Sequence, residues 1–204
     1  MAQQARRGSG SAAERVGIFG GTFDPIHMGH VVAASDARAR LELDRVLLVV
    51  AGDPWQKRGI VVASAADRLA LVEAVVAEVD GLEASSVEID RGQPSVTADT
   101  LEALAGPDRS LYLLLGADAV ANMSTWQRLE DTRDLATVVV VEREGEHATP
   151  PGDGWSVEHL AIPRLDVSST DIRQRLARGF PVHGLVPESV VRVIHARGLY
   201  AAGR

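Results

Sequence analysis

Gly20-Gly21-Thr22-Phe23-Asp24-Pro25-Ile26-His27-Met28-Gly29-His30 is the stretch whose reading settles the fold. It follows the short apolar run Val16–Phe19, which reads as a buried strand. It leads into Val31-Val32-Ala33-Ala34 and an Arg- and Leu-rich continuation to Leu41, which reads as a helix. A strand, a glycine turn and two histidines at a helix start place imidazoles where unpaired N–H groups and the positive end of the helix dipole attract anions. His27 and His30 are three positions apart, so they share one face of the first helical turn and reach the same anion. Gly20, Gly21 and Gly29 leave the backbone open to close approach by a ligand. Gly17, Gly20 and Gly21 do not give the G-x-G-x-x-G of dinucleotide-binding turns. Two histidines without a third ligand at a suitable spacing, in a chain that has no cysteine, do not read as a metal site. The stretch reads as a phosphate-binding turn.

Outward from this turn, β-branched or Leu-rich runs alternate with amphipathic stretches, the pattern of a parallel α/β sheet. Strands are expected at Val16–Phe19, Arg45–Val50, Leu82–Ser86, Leu111–Leu115, Thr137–Val141 and Glu158–Ala161. Helices are expected at Gly29–Leu41, Ala65–Val79, Ala98–Leu104, Asp118–Met123, Ser169–Arg178 and Glu188–Arg197. Strands this apolar imply helices on both faces of the sheet. Ligands of such sheets collect at the carboxyl ends of the strands, near a switch in strand order. Gly20–His30, Gly52–Lys57 and Gly116–Asp118 each follow an expected strand and are candidates for one crevice. Glu142–Ser156 has turn chemistry without a period and reads as a surface excursion. The tail from Ser168 reads as a small helical piece, with Pro187 suited to the first position of its last helix.

The chain has 204 residues, enough for one sizeable core. Residues 1–14, Met1 to Glu14, are mostly Ala, Gln, Ser, Gly and Arg without an apolar segment and read as a disordered leader, leaving 15–204 as one domain with a helical part over about 168–204. No apolar run approaches the ~20 residues of a membrane helix. A net charge of −7 argues against general nucleic-acid binding. The absence of cysteine excludes disulfides and thiol catalysis and fits a reducing cytoplasm. The basic residues are almost all Arg, and Lys57 is the single lysine.

Gly20 to His30 closely resembles the Gly-Gly-Thr-Phe-Asp-Pro-x-His-x-Gly-His signature of bacterial nicotinate mononucleotide adenylyltransferases, within the nucleotidylyltransferase superfamily marked by His-x-Gly-His. Val167-Ser168-Ser169-Thr170-Asp171-Ile172-Arg173, about 140 positions downstream, resembles that superfamily's Ile-Ser-Ser-Thr-x-x-Arg. The resemblance extends from Val16 to Tyr200. It implies a Rossmann-like α/β fold and Mg²⁺-dependent transfer of AMP from ATP to nicotinate mononucleotide, giving deamido-NAD and pyrophosphate in cytoplasmic NAD biosynthesis. Homo-oligomerisation is left open.

The resemblance also implies roles. His27, His30 and Arg173 would act on the reacting phosphates, with Gly20, Gly21, Thr22, Phe23 and Gly29 forming the ATP turn around them. Ser169 and Thr170 would cap the next helix and donate to the β- and γ-phosphates. Gly116 and Asp118 match a Gly-x-Asp that meets the nucleotide and its metal environment, while a plain helix cap is the alternative for Asp118. For nicotinate mononucleotide the matched positions are Trp55 and Lys57 in the loop after the second strand, and Thr97 near the nicotinate carboxylate. Trp126 would stack on the pyridine ring, and Arg143 would follow the fifth strand. Asp24, in the turn beside the phosphates, is also assigned to nicotinate mononucleotide, with tuning of the loop or of a histidine as the alternative. Lys57 also reads as a surface lysine, Trp126 as a core residue, and Arg68 as substrate support or a surface ion pair. Val96 stands where relatives have Tyr, and Arg143-Glu144-Gly145 where relatives often have Arg-Pro-Gly. Phosphopantetheine and cytidylyl transferases share His-x-Gly-His but usually lack the Gly-Gly-Thr-Phe-Asp-Pro lead-in. A non-catalytic relative would be expected to have lost some of His27, His30, Ser169, Thr170 and Arg173, all of which are present.

Overall fold

Six strands form one sheet in the order β3-β2-β1-β4-β5-β6, with every neighbouring pair parallel. The strands are β1 (Glu14–Gly21), β2 (Arg45–Val50), β3 (Leu82–Ser85), β4 (Arg109–Gly116), β5 (Ala136–Arg143) and β6 (Val157–Ile162). Around them lie α1 (Met28–Arg40), α2 (Ala65–Val76), α3 (Val87–Arg91), α4 (Thr97–Leu104), α5 (Ala117–Ala121), α6 (Leu129–Leu135), α7 (Ser169–Ala177) and α8 (Glu188–Arg197). This computed structural model describes residues 13–54, 62–143 and 148–201.

Strand side chains alternate between two hydrophobic layers, as the pleat requires. Val46, Leu48, Val50, Tyr112, Leu114, Val139 and Val141 point to one layer, with residues of α1, α2, α7 and α8. Val16, Ile18, Leu47, Val49, Leu113, Val138 and Val140 point to the other, with Leu101 of α4 and Val120 of α5. The doubly covered sheet is the expected fold class. The C-terminal helices share the first layer, since Ile172, Val190, Val191 and Ile194 are buried in it. Helix α8 lies along α2, where Arg197 donates to Asp67 at 2.9 Å and Arg192 to Glu78 at 3.0 Å. The Arg197 bond holds the Asp67 carboxyl below its ordinary pKa.

All six strands fall where expected: β1, β4, β5 and β6 run further at their ends, β2 has the expected bounds, and β3 stops at Ser85, one residue short. Strand β1 begins at Glu14, the last residue assigned to the leader, and there Glu14 pairs with Arg109 of β4. Helix α2 stops at Val76, three residues short of the expected Val79. Expected Asp118–Met123 is the short α5 followed by a 3-10 turn at Met123–Thr125. Helices α3 and α6 were not anticipated. Strand β5 takes in Glu142 and Arg143, so the excursion starts later than expected, and Trp155 within it packs against the second core layer. Pro187 is the N-cap of α8 rather than its first helical residue.

Strand order reverses between β1 and β4, which lie side by side while their connections leave in opposite directions. The carboxyl ends of these two strands, at Gly20-Gly21 and Gly116, therefore open a crevice at the switch point.

Candidate active site

That crevice is a cleft of about 540 Å³, within the range of small-molecule sites. The end of β1 and its turn (Gly20 to Asp24), His27, Gly29, His30, Gly116, Asp118, and Ser168 to Thr170 with Arg173 line it. Every residue assigned to ATP or to catalysis is thus in one place, although the two motifs are more than a hundred positions apart.

The first wall is built by the turn. Phe23 adopts a left-handed backbone, φ 51°, which costs a non-glycine residue about 1–2 kcal/mol. Its ring is 1 % exposed and lies so close to Gly21 that a Cβ there would stand 2.9 Å from it. Gly21 is thus required by packing. Gly20 and Gly116 differ, because a Cβ on either would meet no atom within 4 Å. Their bare backbones face the space a ligand would take.

His27 is the N-cap of α1 and is largely buried. Its N–H donates to Nδ1 of His30 at 3.2 Å, so Nδ1 is the acceptor and Nε2 is the ring nitrogen left to donate. The two imidazoles stack with centroids 3.7 Å apart and planes 24° apart. The edge-on ring of Phe23, 5.1 Å from His30, steadies the pair. From the C-terminal part, the carbonyl of Leu185 accepts the N–H of Met28 at 2.9 Å and fixes the helix start.

The second wall is the start of α7. Its cap is Ser168, not the expected Ser169 and Thr170: the Ser168 hydroxyl accepts the Asp171 N–H at 3.1 Å and donates to the Asp171 carboxylate at 2.7 Å. Ser169 and Thr170 are consequently the first two helical residues, whose N–H groups have no partner within a helix. The Ser169 hydroxyl donates to the Pro25 carbonyl at 2.9 Å and joins the two walls. Arg173, one turn on, donates from Nη1 to the Asp24 carbonyl at 2.7 Å. In the first turn of α5, Asp118 is exposed at the cleft. The cap of α5 is Gly116, with no side-chain cap bond, so the cap alternative for Asp118 does not apply.

Asp24 lines the cleft, but its carboxylate is enclosed. Oδ2 accepts the Val62 N–H at 2.8 Å, and Oδ1 accepts the Ala63 N–H at 3.1 Å and the Tyr200 hydroxyl at 2.8 Å. These bonds hold the loop that precedes α2, the first of the alternatives given for Asp24. Arg68 is neither a surface ion pair nor exposed to substrate. It is 2 % exposed and donates to the carbonyls of Thr22 (2.7 Å), Ala51 (2.8 Å) and Ala63 (3.3 Å). Burial lowers its pKa, against the opposing pull of the Asp24 charge.

The positions assigned to nicotinate mononucleotide are more scattered. Thr97 opens α4 and Trp126 packs, partly buried, against the second core layer; neither lines the cleft. Gly52 to Pro54 do not line it either, although Asp53 bridges to Pro94, just before α4. Trp55 and Lys57 lie outside the described residues, and Arg143 is the last residue of β5. Sequence reading missed Tyr200, whose partner is 176 positions away. It also missed the Ser168 cap, for which Ser168-x-x-Asp171 was a legible signal.

A glycine turn bearing two histidines and a second helix start meet at the switch point of a parallel sheet, a place suited to the phosphates of a nucleotide. Comparison with known proteins agrees. The family model for cytidylyltransferase-like proteins matches residues 18–175. A Saccharopolyspora erythraea protein named probable nicotinate-nucleotide adenylyltransferase is 42% identical over 197 residues, covering 93% of this chain and 91% of its own. A Streptomyces coelicolor protein of the same name is 44% identical over 185 residues, covering 89% and 98%. The solved Plasmodium falciparum nicotinic acid mononucleotide adenylyltransferase complexed with NaAD shares the fold, with a TM-score of 0.75 at 17% identity over 92% of this chain and 97% of that one. The chain belongs to the cytidylyltransferase-like family and, within it, to the nicotinate-nucleotide adenylyltransferases.

Proposed function

We propose that this protein transfers AMP from ATP to nicotinate mononucleotide, releasing pyrophosphate and giving deamido-NAD. The observation that carries the proposal is the meeting of His27, His30, the α7 start and Arg173 in one cleft at the β1–β4 switch. An oxygen of the mononucleotide phosphate attacks the α-phosphorus of ATP, a P–O bond forms in line, and the bond to pyrophosphate breaks. The nucleophile is already an anion at neutral pH, so the site needs no strong base. It needs alignment and donors for the charge that builds on the α-phosphoryl oxygens and the leaving group. Stacked His27 and His30 supply donors at the turn. The N–H groups of Ser169 and Thr170 and the Arg173 guanidinium receive the β- and γ-phosphates.

Mg²⁺ fits the donor set. Asp118 is an exposed carboxylate at the cleft with no cap bond of its own, of the kind that holds Mg²⁺ together with substrate phosphates. When bound, the ion offsets phosphate charge. No helix among the described residues is long and apolar enough to cross a membrane, and with the absence of cysteine this supports a cytoplasmic setting.

The testing experiment is pyrophosphate release with ATP and Mg²⁺, offering nicotinate mononucleotide, nicotinamide mononucleotide and phosphopantetheine in parallel. Strong turnover with the first alone is the expected result. Turnover with another acceptor moves the substrate assignment, and none with any acceptor overturns the reaction.

Trp126 separates the two halves of the site. If its ring stacks on the pyridine, Trp126→Ala raises KM for the mononucleotide at least ~10-fold more than KM for ATP. Equal changes accompanied by a lower melting temperature would make it a core residue only.

A further inference from the structure

Behind the cleft, one carboxylate ties together parts of the chain that are remote in sequence. Asp24 is 3 % exposed and receives Tyr200 from the C-terminal tail together with Val62 and Ala63 ahead of α2. Arg173 reaches it from α7. The guanidinium donates to the Asp24 backbone carbonyl at 2.7 Å, yet stands 3.7 Å from Oδ2, too far for a hydrogen bond. Three neutral donors hold the carboxylate, and Arg173 stands beside it in a loose ion pair, with Thr170 Oγ1 3.4 Å from its other terminal nitrogen.

We infer that Tyr200 is a positioning residue for Arg173: its hydroxyl, by occupying Asp24 Oδ1, keeps the Asp24 carboxylate from capturing the guanidinium that the triphosphate needs. This rests on the reading that Arg173 meets the triphosphate. A carboxylate that loses a buried donor takes the nearest replacement, and charge-assisted bonds to Arg are the strong ones. The nearest cation is Arg173, whose Nη1 already stands 3.7 Å from the companion oxygen Oδ2 of the same carboxylate. Turning toward Asp24 draws the guanidinium back from the cleft. Burial and the Asp24 charge both push the Tyr200 phenol pKa up, so the hydroxyl stays protonated and stays a donor throughout the neutral range. The tail after α8 thereby sets the geometry of a side chain at the opposite end of the C-terminal helical piece.

The test is a double-mutant cycle on binding. A non-reactive α,β-methylene analogue of ATP is titrated calorimetrically into the parent chain, Tyr200→Phe, Arg173→Ala and the double variant. Tyr200→Phe keeps the buried ring and removes only the hydroxyl. Expected is a weakening of roughly 5-fold in the parent background and less than about 2-fold in the Arg173→Ala background. Equal weakening in both backgrounds, or none in the parent, overturns the inference and leaves Tyr200 a structural residue. Should Tyr200→Phe not fold, amide hydrogen exchange at Val62 and Ala63 serves on chains that keep Tyr200. The analogue is expected to slow both amides in the parent and not in Arg173→Ala, and equal slowing in the two overturns the inference. Because the readouts are binding and exchange, a chain that passes them yet releases no pyrophosphate would overturn the proposed reaction and leave this inference standing.

Discussion

Replacing His30 by alanine is expected to lower kcat/KM at least ~10²-fold, the loss that follows removal of one preorganised donor from developing phosphoryl charge. The ring is held before substrate arrives. It stacks on His27 at 3.7 Å, meets the edge of Phe23 at 5.1 Å, and accepts the His27 N–H through Nδ1. Little of that restraint has to be paid for when ATP binds, so most of the loss should fall on kcat rather than on KM for ATP. The fold has little at stake, since His30 is only partly buried, and loss of its bond from the His27 N–H is worth about 1 kcal/mol, or roughly 2–4 °C in melting temperature for a chain of this size. Steady-state kinetics on the folded variant decides the point. A near-normal rate would remove His30 from the catalytic set, and a large fall in melting temperature would reassign it to the fold.

What could be read in advance divides along physical lines. The four inner strands are mostly apolar runs and were legible for that reason, and the half-exposed edge strands β3 and β6 were placed as well. Helix α3 was not, because Val87–Arg91, between Ser86 and Gly92, is too short to show a helical period. Helix α6 was not because Leu-Glu-Asp-Thr-Arg-Asp-Leu is only about two turns long, and its packed face is Leu129 and Leu135, both partly buried, beside buried Thr132. The meeting of His27, His30, the α7 start and Arg173 was legible because these groups stand in two contiguous motifs whose local structure, turn and helix start, places them. The network beneath it was not. The partners of Asp24 include Arg173, 149 positions on, and Tyr200, 176 positions on, and no local pattern announces such a pairing. Arg68 shows the same limit. In sequence it is an arginine beside Asp67 at a helix start, and only the return of β1 and β2 over α2 encloses it. The pyridine half depends on Trp126 and Thr97, whose places in the fold fall outside the cleft lining, so kinetics must test what the motif implied.

Arg68 carries the largest expected effect on stability. Arg68→Met retains much of the side-chain volume but leaves the carbonyls of Thr22 and Ala51, and more weakly that of Ala63, without their buried donor. Each unsatisfied buried group costs about 1–3 kcal/mol, and partial relaxation brings the total to roughly 3–5 kcal/mol. For a chain of this length that corresponds to a melting temperature lower by roughly 6–20 °C. Arg68→Lys is expected to recover only part of this, because one ammonium cannot span carbonyls on three segments as a planar guanidinium does. The charge matters as well. Arg68 offsets Asp24 and Glu88, both buried, and Glu88 accepts the Thr100 hydroxyl at 2.7 Å. Without Arg68, the cation left beside Asp24 is Arg173 at 3.7 Å, so methionine should also reduce kcat/KM by tightening that pair, and lysine should restore activity more fully than stability. Thermal melts and kinetics on the two variants separate these contributions. A fall below about 3 °C for Arg68→Met would mean that water reaches the three carbonyls and that the guanidinium is not what holds the turn. If lysine restored stability but not activity, the geometry of the fork rather than its charge would govern Arg173.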